Sequence, residues 1–186
     1  AVPFSKFVGR VAGTAPAVLS MQQIAQNSLY RTNLGLVEGS GQAATVLIRV
    51  FDAAGRALAE IPESLAAFEH KQLNGFLANA GLVVNDGRIE VEVTSETGKI
   101  TAYASMVDNQ TNDPLLVQPV VKSSVQGTRY VIPGVAFLDG IAKWRSDVRV
   151  FNAGAAATRA TITYFPQGNT AGAMVKEVTL DGGEVL

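Results

Sequence analysis

Cysteine is absent from the 186-residue chain, and histidine occurs once, at His70. The first absence removes disulfides, thiolate zinc sites, iron–sulfur clusters and cysteine nucleophiles; the second leaves almost no imidazole chemistry. Charge is also sparse. Lys, Arg, Asp and Glu make up 17% of residues and the formal net charge is −1, so there is no broad cationic field to hold phosphate backbones, and no basic run supplies a local one. Nucleic acid is therefore not expected as a partner. No apolar run reaches the roughly 18 residues of a spanning helix, so no membrane-spanning segment is expected. The chain opens on "AVPFSKF", with neither Met nor an intact signal peptide, as a processed exported protein or a trimmed chain would.

What is present forms a core. Hydrophobic residues make up 47% of the chain, while seven prolines and 18 glycines are dispersed as punctuation, which favours many short elements over disorder. In "GRIEVEV", Ile89, Val91 and Val93 alternate with Arg88, Glu90 and Glu92 at the period of a half-buried strand. After "SETGK", Ile100, Ala102, Ala104 and Met106 continue the alternation, and Gly98 can supply a positive φ between them, so the two read as an antiparallel hairpin. "TVLIRVFD" places Val46, Ile48 and Val50 on one face; "YRTNLGLV" does the same with Thr32, Leu34 and Leu36. The spacing of Val18, Met21, Ile24 and Ala25, behind a Thr14 cap and Pro16, predicts a short helix near the N-terminus. A further helical turn is expected in "KQLNGFLANAG", ending at Gly81.

The stretch from Arg31 to Gly55 returns, much altered, from Arg145 to Asn169. Aligned on the two arginines, Asn33 meets Asp147, Leu34 meets Val148, Leu36 meets Val150, Ile48 meets Ile162 and Phe51 meets Phe165. Identities are few; the shared signal is strand, small-residue loop and strand. "FEHKQL" similarly matches the final "GGEVL", but the second copy has no counterpart of "GRIEVEVTSETGKITAYASMVDN". A half-sheet with unpaired edges is physically costly. Three explanations remain open: a longer chain, which is favoured; strands donated by a neighbour; or one composite fold.

"RTNLGLVEGSGQAATVLIRVFDAAG", "AYASMVDNQTNDP" and "IPGVAFLDGIAKWRSDVRVFNAG" resemble the repeated β-sandwich modules attached to many secreted bacterial proteins. The resemblance spans nearly the whole chain. It implies a secreted or cell-surface location and a tandem architecture, and brings no catalytic residues with it.

Taken together, the expectation is an all-β fold of tandem antiparallel, Ig-like β-sandwich units: residues 1–121, a linker over 122–128, and an incomplete unit over 129–186. In "VDNQTNDP", oxygen ligands from Asp108, Asn112 and Asp113 suit Ca²⁺, yet the spaced acidic ladder of a calcium loop is missing and a plain turn is favoured. Tyr30 and Arg31 in the first copy match Trp144 and Arg145 in the second, and Arg145, Asp147 and Arg149 should share a strand face. These six are candidates for a ligand or interface surface, weighed against ordinary cross-strand pairing with an arginine stacked on an aromatic such as Tyr103. Tyr30 and Trp144 themselves favour a core or junction place. His70 has no GxSxG nucleophile to serve, and Glu90 and Glu92 read as solvated positions. The leading expectation is a non-enzymatic structural, assembly or adhesion protein without a cofactor, partnered by itself or by further domains. The alternative is a carbohydrate- or surface-binding accessory module of a secreted enzyme.

Overall fold

The computed structural model describes residues 2–122, 129–141, 143–169, 171 and 174–186. Contacts divide the chain into two units, Ala1–Val125 and Gln126–Leu186. The division falls inside the expected linker, of which 123–128 lie outside the described residues. Lys122 belongs to the first unit, where its Nζ donates to Glu90 Oε1 at 3.0 Å.

In the first unit, nine strands follow a 3₁₀ turn at Phe4–Lys6: β1 (Val18–Gln26), β2 (Tyr30–Glu38), β3 (Ala44–Asp52), β4 (Ala57–Leu65), β5 (His70–Leu73), β6 (Val84–Val93), β7 (Ile100–Asp108), β8 (Pro114–Val117) and β9 (Val120–Val121). A single helical turn, α1 (Phe76–Asn79), precedes β6, and Gly81 beyond it has φ +71°. The strands form a five-stranded sheet in the order β4-β3-β6-β1-β9 and a four-stranded sheet in the order β5-β2-β7-β8. Every strand pairing is antiparallel. The inward rows of both sheets share one core: Leu19, Met21, Val46, Ile48, Val50, Ile89, Val91 and Val93 from the first, and Leu34, Leu36, Ile100, Ala102 and Ala104 from the second. The faces read from alternation in β2 and β3 are those that enter this core.

Two expectations are corrected. The predicted N-terminal helix is strand β1, an inner member of its sheet. Its misleading period has a physical source: the register with β6 slips between Met21 and Ile24, where Gln23 takes φ +60°. This β-bulge puts Met21 and Ile24 both inward at a spacing of three, which imitates a helix. The second correction concerns β6 and β7, which are not a hairpin. β6 pairs with β1 and β3 in one sheet, β7 with β2 and β8 in the other, so "TSETGK" arches between sheets. Gly98, at φ +80°, passes so close to the β2–β3 connection that a Cβ would lie 2.6 Å from that of Ala44.

Within the four-stranded sheet, Gly35 lies opposite Tyr103, and a Cβ at Gly35 would sit 2.2 Å from the tyrosine ring. The ring therefore lies across the glycine. Gly35→Ala is expected to cost about 1–2 kcal/mol by forcing the ring aside. Urea denaturation followed by circular dichroism measures this, and the penalty should vanish in a Tyr103→Ala background.

The second unit contains β10 (Phe137–Asp139), β11 (Lys143–Arg145), β12 (Thr158–Tyr164) and β13 (Met174–Leu180), in two two-stranded sheets β10-β11 and β12-β13. Its hairpin register reproduces that of β3 and β4: Thr158 faces Leu180 as Ala44 faces Leu65, and Ile162 faces Lys176 as Ile48 faces Ile61. The following turn is also the same. Glu69 Oε2 accepts from Ala66 N and Glu184 Oε2 from Asp181 N, each at 2.6 Å. Beyond the turn, Phe151 pairs with Val185, and Val150 and Leu186 exchange backbone hydrogen bonds, matching Val37 with His70 and Leu36 with Lys71.

Burial, by contrast, is reproduced only in part: Leu180 is buried like Leu65, and Asn152 like Glu38. Leu36, Leu34, Ile48 and Val50 are completely buried, whereas Val148, in the place of Leu34, is 37% exposed and Tyr164, in the place of Val50, is 41% exposed. Among the described residues, β12 pairs with β13 alone, while β3 pairs with both β4 and β6.

Candidate functional site

The segments proposed separately around Tyr30–Arg31 and Asp108–Asp113 meet at one end of the first unit. β2 and β7 bring them together: Tyr30 faces Asp108 and Arg31 faces Val107. Arg31 donates from Nη1 to Asn109 Oδ1 at 2.8 Å and from Nη2 to Asn112 Oδ1 at 3.1 Å. Asp108 Oδ1 accepts the amides of Gln110 and Thr111 at 2.7 and 3.1 Å, and these bonds, Thr111's foremost, hold its carboxyl below the usual range. Asp113 donates its own amide to Thr111 Oγ1. The guanidinium thus takes the amide oxygens that a cation would need, and the carboxylate closes a turn. Among the described residues, no group of three or more His, Asp or Glu is placed to share a metal ion. Tyr30 is half-buried, its amide bonded to Asn27 Oδ1.

In the second unit the matching pair sits on the β10–β11 hairpin. The Arg145 guanidinium lies 4.0 Å over the Phe137 ring, bonds Asp139 Oδ1 at 2.7 Å and donates to the carbonyls of Leu138 and Trp144. Its aromatic partner is thus Phe137, which faces it across the hairpin; Tyr103 instead bonds His70 Nε2 at 3.0 Å within the first unit. Trp144 is 61% exposed, not a core anchor. Asp147 and Arg149 form an ion pair at 2.8 Å, but β11 stops at Arg145, so Arg145, Asp147 and Arg149 do not share one strand.

The most completely built polar site was not among the sequence candidates. Glu38 is 1% exposed and lies where three sheet-to-sheet connections meet. From β2–β3 it receives Ser40 N, Ser40 Oγ and Gly41 N; from β4–β5, Phe68 N at 2.9 Å; from β6–β7, Lys99 N at 3.1 Å. Burial alone would push its carboxyl up, but hydrogen bonds from Ser40 and the amides of Phe68 and Lys99 outweigh it and hold the value at about 2, down from 4.5. Such a carboxylate is unsuited to proton transfer near neutrality; it ties backbone together. Asn152 stands in its place in the second unit. Asn152 Oδ1 accepts Gly154 N, and Nδ2 donates to the carbonyls of Ala156, Leu180 and Asp181, bridging the two connections present there. The signal for Glu38 was "VEGSGQ", an acid followed by small residues whose amides can fold back onto it.

Two ion networks were also misread as solvated charge. Glu90 is 5% exposed and pairs with Arg88 and Lys122, each at 3.0 Å. Arg88 lies 4.2 Å over Phe51; burial pushes its guanidinium down from the ordinary value, against the pull of Glu90 and Asp52. Glu92 bonds Arg49, which also bonds Glu60 on β4. Arg49 links Glu60 and Glu92 across β4, β3 and β6, whereas Arg88 and Glu90 are neighbours on one face of β6 itself.

These features define an all-β protein whose best-organised polar groups brace connections between sheets. No helix among the described residues is long and apolar enough to cross a membrane. The chain belongs to the family of unknown function DUF5719, which matches residues 25–186. No curated protein matches it. Among solved structures it is similar to that titled "Crystal Structure of Thermotoga maritima 1070", with 12% identity and a TM-score of 0.43, covering 58% of this chain and 93% of that one.

Proposed function

We propose that this chain is a non-enzymatic, secreted or cell-surface protein built from tandem β-sandwich repeats of Ig-like character, with a role in structure, assembly or adhesion. The observation that carries the reading is the repetition of backbone register without repetition of chemistry. The β3–β4 and β12–β13 hairpins, the turns closed by Glu69 and Glu184, and the pairings that follow are shared. Apart from the turn-closing glutamates and the Arg31–Arg145 match, polar side chains at matching places differ: Glu38 against Asn152, and Arg49 against Thr163. A duplicated active site would keep its reacting groups, whereas a duplicated building block keeps its pairing. The chain's resemblance to repeated modules of secreted bacterial proteins supports the location.

Fractionation of native material should place the protein outside the cytoplasm, in species heavier than 19.5 kDa. A cytoplasmic protein, or a 19.5 kDa monomer at every concentration, would count against the reading.

A second reading rests on Trp144, exposed beside Arg145 and Asp139 on one small hairpin, where an aromatic face flanked by polar groups suits a sugar ring. Polysaccharide binding that disappears in Trp144→Ala would establish it as an accessory module. No binding across a broad polysaccharide panel would remove it.

A further inference from the structure

One end of the first unit holds a cleft of about 350 Å³, at the lower end of the roughly 300–1,000 Å³ that small-molecule sites occupy. Its walls come from the N-terminal segment and from the β2–β3 and β6–β7 connections. Val8 and Ile100 exchange backbone hydrogen bonds at 2.8 Å, which lays residues 9–11 alongside Gly98 and Lys99. The approach is so close that a Cβ at Gly9 would lie 2.9 Å from the carbonyl oxygen of Gly98. The other walls are tied by Glu38, since Ser40 and Lys99 both line the cleft and donate their amides to its carboxylate. Backbone pairing and one buried carboxylate therefore hold the cleft in shape before anything enters it.

Two cations line this cleft without a carboxylate partner. Arg10 donates from Nη1 to the Thr94 carbonyl at 3.0 Å, which anchors one arm of its guanidinium. Lys99 Nζ stands 5.3 Å over the ring of Phe4, which stacks on Phe7 at 5.4 Å between centroids. Unlike the ion-paired Arg49, Lys71 and Arg88, neither meets an acid among the described residues. Glu96 and Gln42 are exposed on the same lining. An acid beside two cations disfavours a bare polyanion, yet it suits a ligand that carries hydroxyl donors as well as negative charge.

We infer that this cleft binds a carboxylate-bearing sugar, a hexuronate residue of an acidic polysaccharide. Its carboxylate meets Arg10 and Lys99 in charge-assisted hydrogen bonds, its hydroxyls donate to Glu96 and Gln42, and its apolar ring face lies against Phe7. The inference deepens the surface role proposed above and rests on it for where such a polymer is met. It concerns the first unit, and is thus separate from the Trp144 hairpin.

The test is calorimetric titration of the full chain with short oligomers of galacturonate, glucuronate and alginate, at low and moderate salt. At least one should bind. Arg10→Ala and Lys99→Ala should each weaken that binding about tenfold or more, as expected for the loss of a charged hydrogen-bond partner. Both side chains are exposed, and Lys99→Ala keeps the amide that Glu38 uses, so the urea midpoints of the variants should match that of the native chain. Lys176→Ala, an exposed cation on β13, should bind as the native chain does.

No binding of any of the three oligomers overturns the inference. So does equal binding of poly-glutamate, or an equal loss in Lys176→Ala, since charge alone then accounts for the affinity. Binding lost in Trp144→Ala but kept in Arg10→Ala also overturns it, because the site would then lie on the second unit. A cytoplasmic location would defeat the surface role and leave these titrations unchanged, whereas absent uronate binding leaves the fractionation result standing, so the two failures are distinguishable.

Discussion

Ile48→Ala is expected to destabilise the first unit by about 2–5 kcal/mol, and Ile162→Ala to cost the second less than about 1 kcal/mol. The two isoleucines hold the same register position in their hairpins, opposite Ile61 and Lys176. Their surroundings differ. Ile48 is completely buried, flanked on its second side by Val91, and faces the row that includes Leu34 and Leu36. Removing its outer carbons leaves a cavity that neighbouring strands on both sides prevent from collapsing. Ile162 is only half-buried, with β13 alone beside it among the described residues, so truncation removes little that water had not already reached. Trp144, the single tryptophan, lies in the second unit, so its fluorescence reports that unit during urea unfolding while circular dichroism is dominated by the larger first unit. A cost at Ile162 as large as that at Ile48 would mean that the second unit's face is covered in solution.

This contrast shows which parts of the fold the sequence could carry. Faces in β2 and β3 were legible because each strand is regular and the inward side of each is mainly apolar, as with Leu34 and Leu36 or Val46, Ile48 and Val50. The correspondence between the β3–β4 and β12–β13 hairpins was legible for the same reason, since alternation survives the change from Val50 to Tyr164. β1 was not legible, because one bulge at Gln23 changes the spacing of inward residues from two to three, and periodicity has no means of separating that from a helix. The β6–β7 connection was misread for a different reason. Alternation and a positive-φ glycine specify two strands and a reversal, but whether the strands bond each other or pass into facing sheets depends on neighbours far along the chain. The core row of β6 is set by pairing with β1 and β3, neither adjacent in sequence.

The polar sites divide along the same line. Arg31 and the Asp108 turn were picked out separately, and their union is a long-range event that only the β2–β7 register reveals. Glu90 and Glu92 looked solvated because acids alternating with valines usually face water. Here Arg88, Lys122 and Arg49 converge on that face and make burial tolerable. Glu38 was missed as a site because "VEGSGQ" signals only the local amides of Ser40 and Gly41, while the amides of Phe68 and Lys99 reach it from connections far along the chain.

That carboxylate leads to a pH dependence with a definite sign. Glu38 is held at about 2 in the folded protein against 4.5 as the ordinary value. A group with a depressed folded value contributes its stabilisation fully above the unfolded value and loses it as the pH falls towards the folded one. Lowering the pH from about 5 to about 2 should therefore remove at most about 3 kcal/mol of the first unit's stability through this group alone, following the 1.36 kcal/mol that each pKa unit represents. Asp52 and Asp108 are also held below their ordinary values and add acid sensitivity of their own, so the measurement is a difference. Urea unfolding by circular dichroism at pH 7, 5, 4, 3 and roughly 2.5 is compared between the native chain and Glu38→Gln. The glutamine keeps the shape but replaces one acceptor oxygen with an N–H donor, which points at the amides of Gly41 and Phe68 or at those of Ser40 and Lys99. The variant should be less stable by about 2–3 kcal/mol at pH 7, because charge-assisted bonds are lost and buried donors are left unpaired. That gap should close as the pH falls from about 4.5 towards about 2, where Glu38 of the unfolded chain takes up a proton that the folded carboxylate resists. A gap independent of pH would mean that shape alone, not the charge of Glu38, holds the three connections together.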